Sequence, residues 1–229
     1  MRSDQPIRRA AVRSWLHAVL LALCTATFCV APRAWDADRA ASAAQRIGPK
    51  AVQALQQLHP VLAGLIEADD TGRLATINQF FNRRVLFRDD QEVWNQVDFW
   101  ASPLETLDKG MGDCEDFAIA KYFSLLAVGV PPARLRLVYV RLQIGGAGGP
   151  SQAHMVLAYY ATPQAEPLIL DNLVTEIRPA SRRPDLTPVF SFNSEGLWQG
   201  TGAQSVGDPV ARLSRWRDVL VKARVEGFL

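Results

Sequence analysis

The periodicity of the chain changes at Pro131-Pro132, and that change limits the folds open to it. Upstream, apolar residues recur at helical spacing. Val52, Leu55, Leu58, Leu62 and Leu65 mark a helical stretch over 38–68, with interruptions expected near Gly48-Pro49 and at Pro60. A second stretch over 74–87 carries Ile77, Phe80, Phe81, Val85 and Leu86, and a third over 114–128 is closed by Gly129. Downstream, residues 134–144 alternate, with Leu135, Leu137 and Tyr139 set against Arg134 and Arg136. A glycine-rich turn at 145–149 and strands at 153–161 and 168–170 follow, and a weaker pair is expected around 189–192 and 197–198. An amphipathic helix then opens at Asp208-Pro209, with Val210, Leu213, Trp216 and Leu220 on one face. Helices first and strands second, without repeats or a linker, predict an α+β fold: an N-terminal helical lobe packed on an antiparallel sheet lobe.

The first 34 residues follow a different logic. Arg2, Arg8, Arg9 and Arg13 precede an uncharged apolar run over 16–30, the layout of a secretory signal. That run is about 15 residues, short of the roughly 20 that cross a hydrocarbon core, so a cleaved leader is expected rather than a stable membrane span. Cleavage is expected after Ala31 or Ala34; with Ala34 as the boundary, 35–229 remains as a single domain. The formal charge of +2 then becomes about −2, with 20 basic against 22 acidic residues, and neither value gives the field that nucleic-acid binding needs. One of three cysteines remains, Cys114, together with His59 and His154. No internal disulfide is possible. A lone thiol in an exported chain is either buried or reactive.

Local sequence favours reactivity. Asp113 stands at an N-cap position, Cys114 falls in the first helical turn, and Asp116 occupies the place of a capping-box acid. Free N–H groups and the positive end of the helix dipole stabilise a thiolate there and can contribute to an oxyanion hole. A thiol nucleophile needs a base. His154 lies inside a strand, where alternation puts it on one face with Val156 and Ala158, opposite Met155, Leu157 and Tyr159. His59 precedes Pro60 near the end of a surface helix and suits the role less well. Asp171, at the end of the next strand, would stand beside His154 if the two strands pair, fixing the imidazole tautomer. A thiol on a helix, an imidazole on a strand and a carboxylate on the following strand is the order expected of a papain-like or transglutaminase-like site.

Two blocks carry a wider resemblance: Val93-Trp94-Asn95 through Trp100-Ala101-Ser102-Pro103-Leu104-Glu105-Thr106-Leu107, and Gly112-Asp113-Cys114-Glu115-Asp116-Phe117-Ala118-Ile119-Ala120-Lys121-Tyr122 with Gly129-Val130-Pro131. With His154-Met155-Val156-Leu157 and Leu170-Asp171-Asn172, they resemble the bacterial transglutaminase-like cysteine proteinases, the LapG family. The resemblance implies a papain-like/transglutaminase-like fold and a periplasmic, calcium-dependent endopeptidase with Cys114, His154 and Asp171 as its catalytic residues. It implies a large surface adhesin as substrate, cut near its N-terminus beside a pair of alanines to promote biofilm dispersal. It further implies sequestration by an inner-membrane receptor for cyclic di-GMP. The family's calcium ligands fall on Asp113 and Glu115, with Asp116 either a further ligand or a helix cap.

Calcium answers an electrostatic problem, because three carboxylates around a thiol raise its pKa and oppose the helix dipole. Carboxylate oxygens suit Ca²⁺, whereas one cysteine and two distant histidines do not form a zinc cluster. The same acids could also be there only to favour a helix N-terminus. Trp94 either borders the substrate cleft or packs in the core. Two alternatives stay open at this level: transglutaminase- or deamidase-type acyl transfer on the same three residues, and a calcium-dependent binding module without turnover. Phosphate loops, nucleotide fingerprints and redox dithiols are absent from the sequence.

Overall fold

The computed structural model describes residues 35–146 and 148–229, which belong to one compact unit. The leader expected over 1–34, its two cleavage positions, and Cys24, Cys29 and His17 lie outside the described residues. Among the described residues no helix is long and apolar enough to cross a membrane.

The helical half opens with α1 (Ala37–Ile47) and α2 (Pro49–Gly64), separated at Gly48, where φ is +152°. The sequence predicts a break at Pro60, but α2 runs through it. Pro60 and Gln56 are both exposed, so water can reach the carbonyl that proline leaves without a donor. Next, α3 (Asp70–Arg84) starts four residues earlier than periodicity predicts, because Asp69 caps it by accepting from Gly72 N–H at 2.8 Å. It also ends earlier. Leu86–Phe87 turns extended as β1 and pairs in parallel with β2 (Met111–Gly112). Between these strands lie α4 (Asp90–Val93) and α5 (Pro103–Lys109). The latter carries a full Ser102/Glu105 capping box and a left-handed Gly110 at its C-terminus. Helix α6 (Cys114–Ala127) follows directly, and every residue from position 116 to 126 is buried.

The strand half is one antiparallel sheet in the order β6-β5-β4-β3-β7-β8. Its strands are β3 (Leu135–Gln143), β4 (Ser151–Tyr159), β5 (Leu168–Leu170), β6 (Arg178–Pro179), β7 (Leu186–Phe192) and β8 (Leu197–Gln199). The single C-terminal helix predicted from the sequence is two, α7 (Pro209–Arg212) and α8 (Ser214–Val225), broken where Leu213 is extended. The bend carries Trp216 into the core, where its Nε1–H donates to the Asn193 carbonyl at 3.1 Å.

Alternation decides what the sheet does with its two faces. Leu135, Leu137, Met155, Leu157, Leu170 and Phe192 turn inward and join α6, α3 and α8 in one continuous core. Val138, Val140, Val156, Ala158 and Ile169 form a smaller apolar cluster on the outer face. The helical and strand halves thus share a core, with α8 returning from the chain end to seal the helical side.

Candidate active site

Strand pairing brings the imidazole and its carboxylate together. The register Leu157↔Leu170 places Asp171 one step past the pairing, opposite Val156 and diagonal to His154 on the outer face. His154 Nε2 lies 2.9 Å from Asp171 Oδ1, with both side chains almost fully buried. Leu173 N–H donates to the same oxygen at 3.1 Å, and Arg183 Nη2 donates to Oδ2 at 2.9 Å. Burial opposes ionisation of Asp171, but the hydrogen bond and charge of His154, the Leu173 amide and Arg183 outweigh it and hold the pKa at about 2. The main chain is held as firmly: Asn82 Nδ2 and Lys121 Nζ donate to the Asp171 carbonyl at 2.8 and 3.1 Å. Lys121 lies two turns after Cys114 on α6, so this bond ties the helix carrying the thiol to the strand carrying the acid. Burial lowers the Lys121 pKa to about 7, against the opposing pull of Asp171.

Cys114 opens α6, as the sequence predicts. The Met155 backbone lowers the thiol pKa slightly, which places the thiol near the strand residue after His154. The thiol itself donates to Glu115 Oε2 at 3.0 Å rather than to the imidazole. Burial, then the charge and hydrogen bond of Glu115, then Asp113 push the thiol pKa far up, so the helix N-terminus does not by itself yield a thiolate.

The capping box predicted around Asp113 does not form. The Asp113 side chain makes no capping bond, and Asp116 Oδ1 is used to accept from Ala101 N–H at 2.8 Å. Asp116 is fully buried. Its other oxygen, one of Asp113 and one of Asp90 have no hydrogen-bond partner, and these three residues can bring ligand oxygens within 4.8 Å of one another. Burial is the largest cause raising the pKa of all three, followed for Asp113 by the charge of Glu115. Asp90 reaches about 6 even though the Phe99 amide donates to it. Gly112 is required for this crowding: a Cβ there would stand 2.6 Å from Asp116 Oδ2.

Asp98 also approaches the cluster, grouping with Asp90 and Glu115, while Arg215 Nε pairs with it at 3.1 Å near the surface. Sequence reasoning assigned Asp113, Glu115 and Asp116 and missed Asp90 and Asp98. Asp98 lies inside the aromatic block that carried the resemblance, and Asp90 just precedes it. Arg183, Lys121 and Asn82 were missed as well. Trp94 is half-buried, with Phe99 at 4.3 Å between ring centroids and Lys109 Nζ 4.9 Å from its ring. His59 is exposed against Trp35, away from this constellation.

The family model described as bacterial transglutaminase-like cysteine proteinase matches residues 53–185. The EGTA-treated structure of Legionella pneumophila LapG is 38% identical, covering 83% of this chain and 98% of that one with a TM-score of 0.71. The calcium-bound structure of Legionella pneumophila LapG is 37% identical, covering 82% and 98%, with a TM-score of 0.69. No curated protein matches. The mixed helix and antiparallel-sheet architecture is thus a transglutaminase-like fold, and the chain belongs to the bacterial transglutaminase-like cysteine proteinases.

Proposed function

We propose that this cysteine protease is a calcium-dependent endopeptidase in which Cys114, His154 and Asp171 act as one catalytic set. The supporting observation is the buried 2.9 Å contact between His154 Nε2 and Asp171 Oδ1, set beside the helix that begins with the only described cysteine. With Nε2 committed to Asp171, Nδ1 is the nitrogen left to act as base. It takes the thiol proton, and Sγ attacks the scissile carbonyl carbon. First-turn N–H groups of α6 donate to the oxygen that becomes negative. His154 returns the proton to the departing amine as the C–N bond breaks, leaving a thioester. It then takes a proton from water, whose oxygen displaces Sγ and frees the acid product. Asp171 keeps the imidazolium oriented throughout.

The acidic cluster fits a hard cation, because Asp90, Asp113 and Asp116 each hold a buried oxygen without a hydrogen-bond partner. Asp113, Glu115 and Asp116 would hold calcium, with Asp90 and Asp98 completing the oxygen set. When bound, the ion supplies positive charge against the carboxylates that now suppress ionisation of the thiol. The calcium-bound LapG structure supports this reading. The family resemblance extends the proposal to export into the periplasm and to cleavage of a large adhesin beside paired alanines, releasing it and dispersing biofilm. It also supports control by a cyclic di-GMP receptor of the inner membrane.

The test is an adhesin N-terminal fragment incubated with enzyme. A shorter product without an amine adduct is expected, and it should disappear in Cys114→Ala while the melting temperature stays close to wild type. An active Cys114→Ala variant overturns the catalytic reading. EGTA is expected to lower the melting temperature and stop cleavage, and added calcium to restore both; indifference to EGTA overturns the calcium reading.

A further inference from the structure

Arg183 is the only buried arginine among the described residues, and the mechanism above does not use it. We propose that Arg183 is a positioning residue that holds the Asp171 carboxylate so that one oxygen faces His154. The proposal rests on the catalytic reading of His154 and Asp171.

The geometry distributes the carboxylate fully. Oδ1 receives His154 and the Leu173 amide, and Oδ2 receives Arg183 Nη2 at 2.9 Å. With its side chain wholly buried, Asp171 has no solvent to replace a lost donor. Removing Arg183 would leave Oδ2 unpartnered, and the carboxyl would rotate or take up a proton. Either change loosens the imidazole. Asp185 holds Arg183 from the other side, bonding Nε at 3.0 Å and Nη2 at 2.7 Å. Its side chain is one-third exposed, so the chain of contacts runs from His154 to the surface. A planar guanidinium can serve both carboxylates at fixed angles, which a lysine ammonium does less well.

The short 3-10 turn at Ala180–Arg182 delivers the side chain to this point, and Arg183 N–H bonds the Ala180 carbonyl at 2.9 Å. Val138, Val140, Val156 and Ile169 line the same cavity of about 240 Å³ as Arg183, on the outer sheet face. The Arg183 and Asp171 side chains are themselves almost fully buried, so water screens their ion pair little.

An arginine that merely pinned this segment to the sheet would affect stability and leave the imidazole of the folded protein alone. The experiment therefore compares calcium-loaded wild type, Arg183→Lys and Arg183→Met by the low-field proton resonance of His154 Nε2–H and by steady-state cleavage. Arg183→Met is expected to shift or lose the resonance and to lower kcat by about tenfold to a hundredfold with KM nearly unchanged. Arg183→Lys is expected to keep the resonance and most of kcat. A folded Arg183→Met with a wild-type resonance and kcat overturns the proposal. Should that variant not fold, Asp185→Asn loosens the same guanidinium and is expected to shift the same resonance; an unshifted resonance there overturns the proposal equally. An active Cys114→Ala would instead defeat the underlying reading, so the two failures are distinguishable.

Discussion

At Asp171 a buried carboxylate meets a guanidinium, an imidazole and a backbone amide, whereas around Cys114 the carboxylates of Asp90, Asp113 and Asp116 each keep an oxygen without any partner. The first environment lowers a pKa to about 2, and the second raises all three of its acids. Burial works against ionisation in both places, so the difference lies in the partners. One half of the site is completed by the chain itself. The other concentrates negative charge next to the thiol, with a single arginine at its exposed margin on Asp98.

If that contrast is right, the same chemical change should have opposite signs in the two halves. Asp171→Asn is expected to cost about 3–5 kcal/mol with or without calcium, because it removes the anion shared by buried His154 and Arg183 and leaves Arg183 to Asp185 alone. Asp116→Asn is expected to stabilise the calcium-free protein by about 1 kcal/mol through relief of like charge, and to abolish the rise in melting temperature on adding calcium. Chemical denaturation of both variants with EGTA and with calcium measures this, and equal signs break the comparison.

A smaller effect probes the crowding alone. Gly112→Ala would press its Cβ on Asp116 and is expected to cost about 1–3 kcal/mol, with weaker calcium binding by calorimetry and an unchanged His154 resonance.

The smallest effect concerns an intermediate case. Glu226 is buried and accepts from Ser102 Oγ and from Leu104 N–H at 3.1 Å, yet burial dominates and raises its pKa from 4.5 to about 7. Because the folded value lies above the unfolded one, its contribution to stability is complete below pH 4.5 and is lost as pH rises through about 7. Glu226→Gln should flatten that decline by about 1–2 kcal/mol in melts between pH 5 and 8.

Much of this arrangement is legible in the linear chain. The helix beginning at Cys114 and the strand carrying His154 both follow from local periodicity, and the face shared by His154, Val156 and Ala158 follows from alternation. The fit is weaker where tertiary contacts compete with local preference. Pro60 continues a helix because its carbonyl partner is exposed, Leu213 bends so that Trp216 can reach the core, and Asp116 bonds Ala101 instead of completing a cap. Asp90, Asp98 and Arg183 lie in turns or short helical segments without a periodic signature, and nothing nearby in sequence pairs them with the site.

The sequence by itself determined which side chains have the chemistry: one thiol beyond residues 1–34, a strand imidazole, and acids around the thiol. Tertiary structure decided which of those acids are compensated. The free energy of a buried charge depends on desolvation and on partners brought from distant segments, so Arg183 could make Asp171 a stable anion while Asp90, folded against Asp113 and Asp116, deepened the charge that a cation must balance.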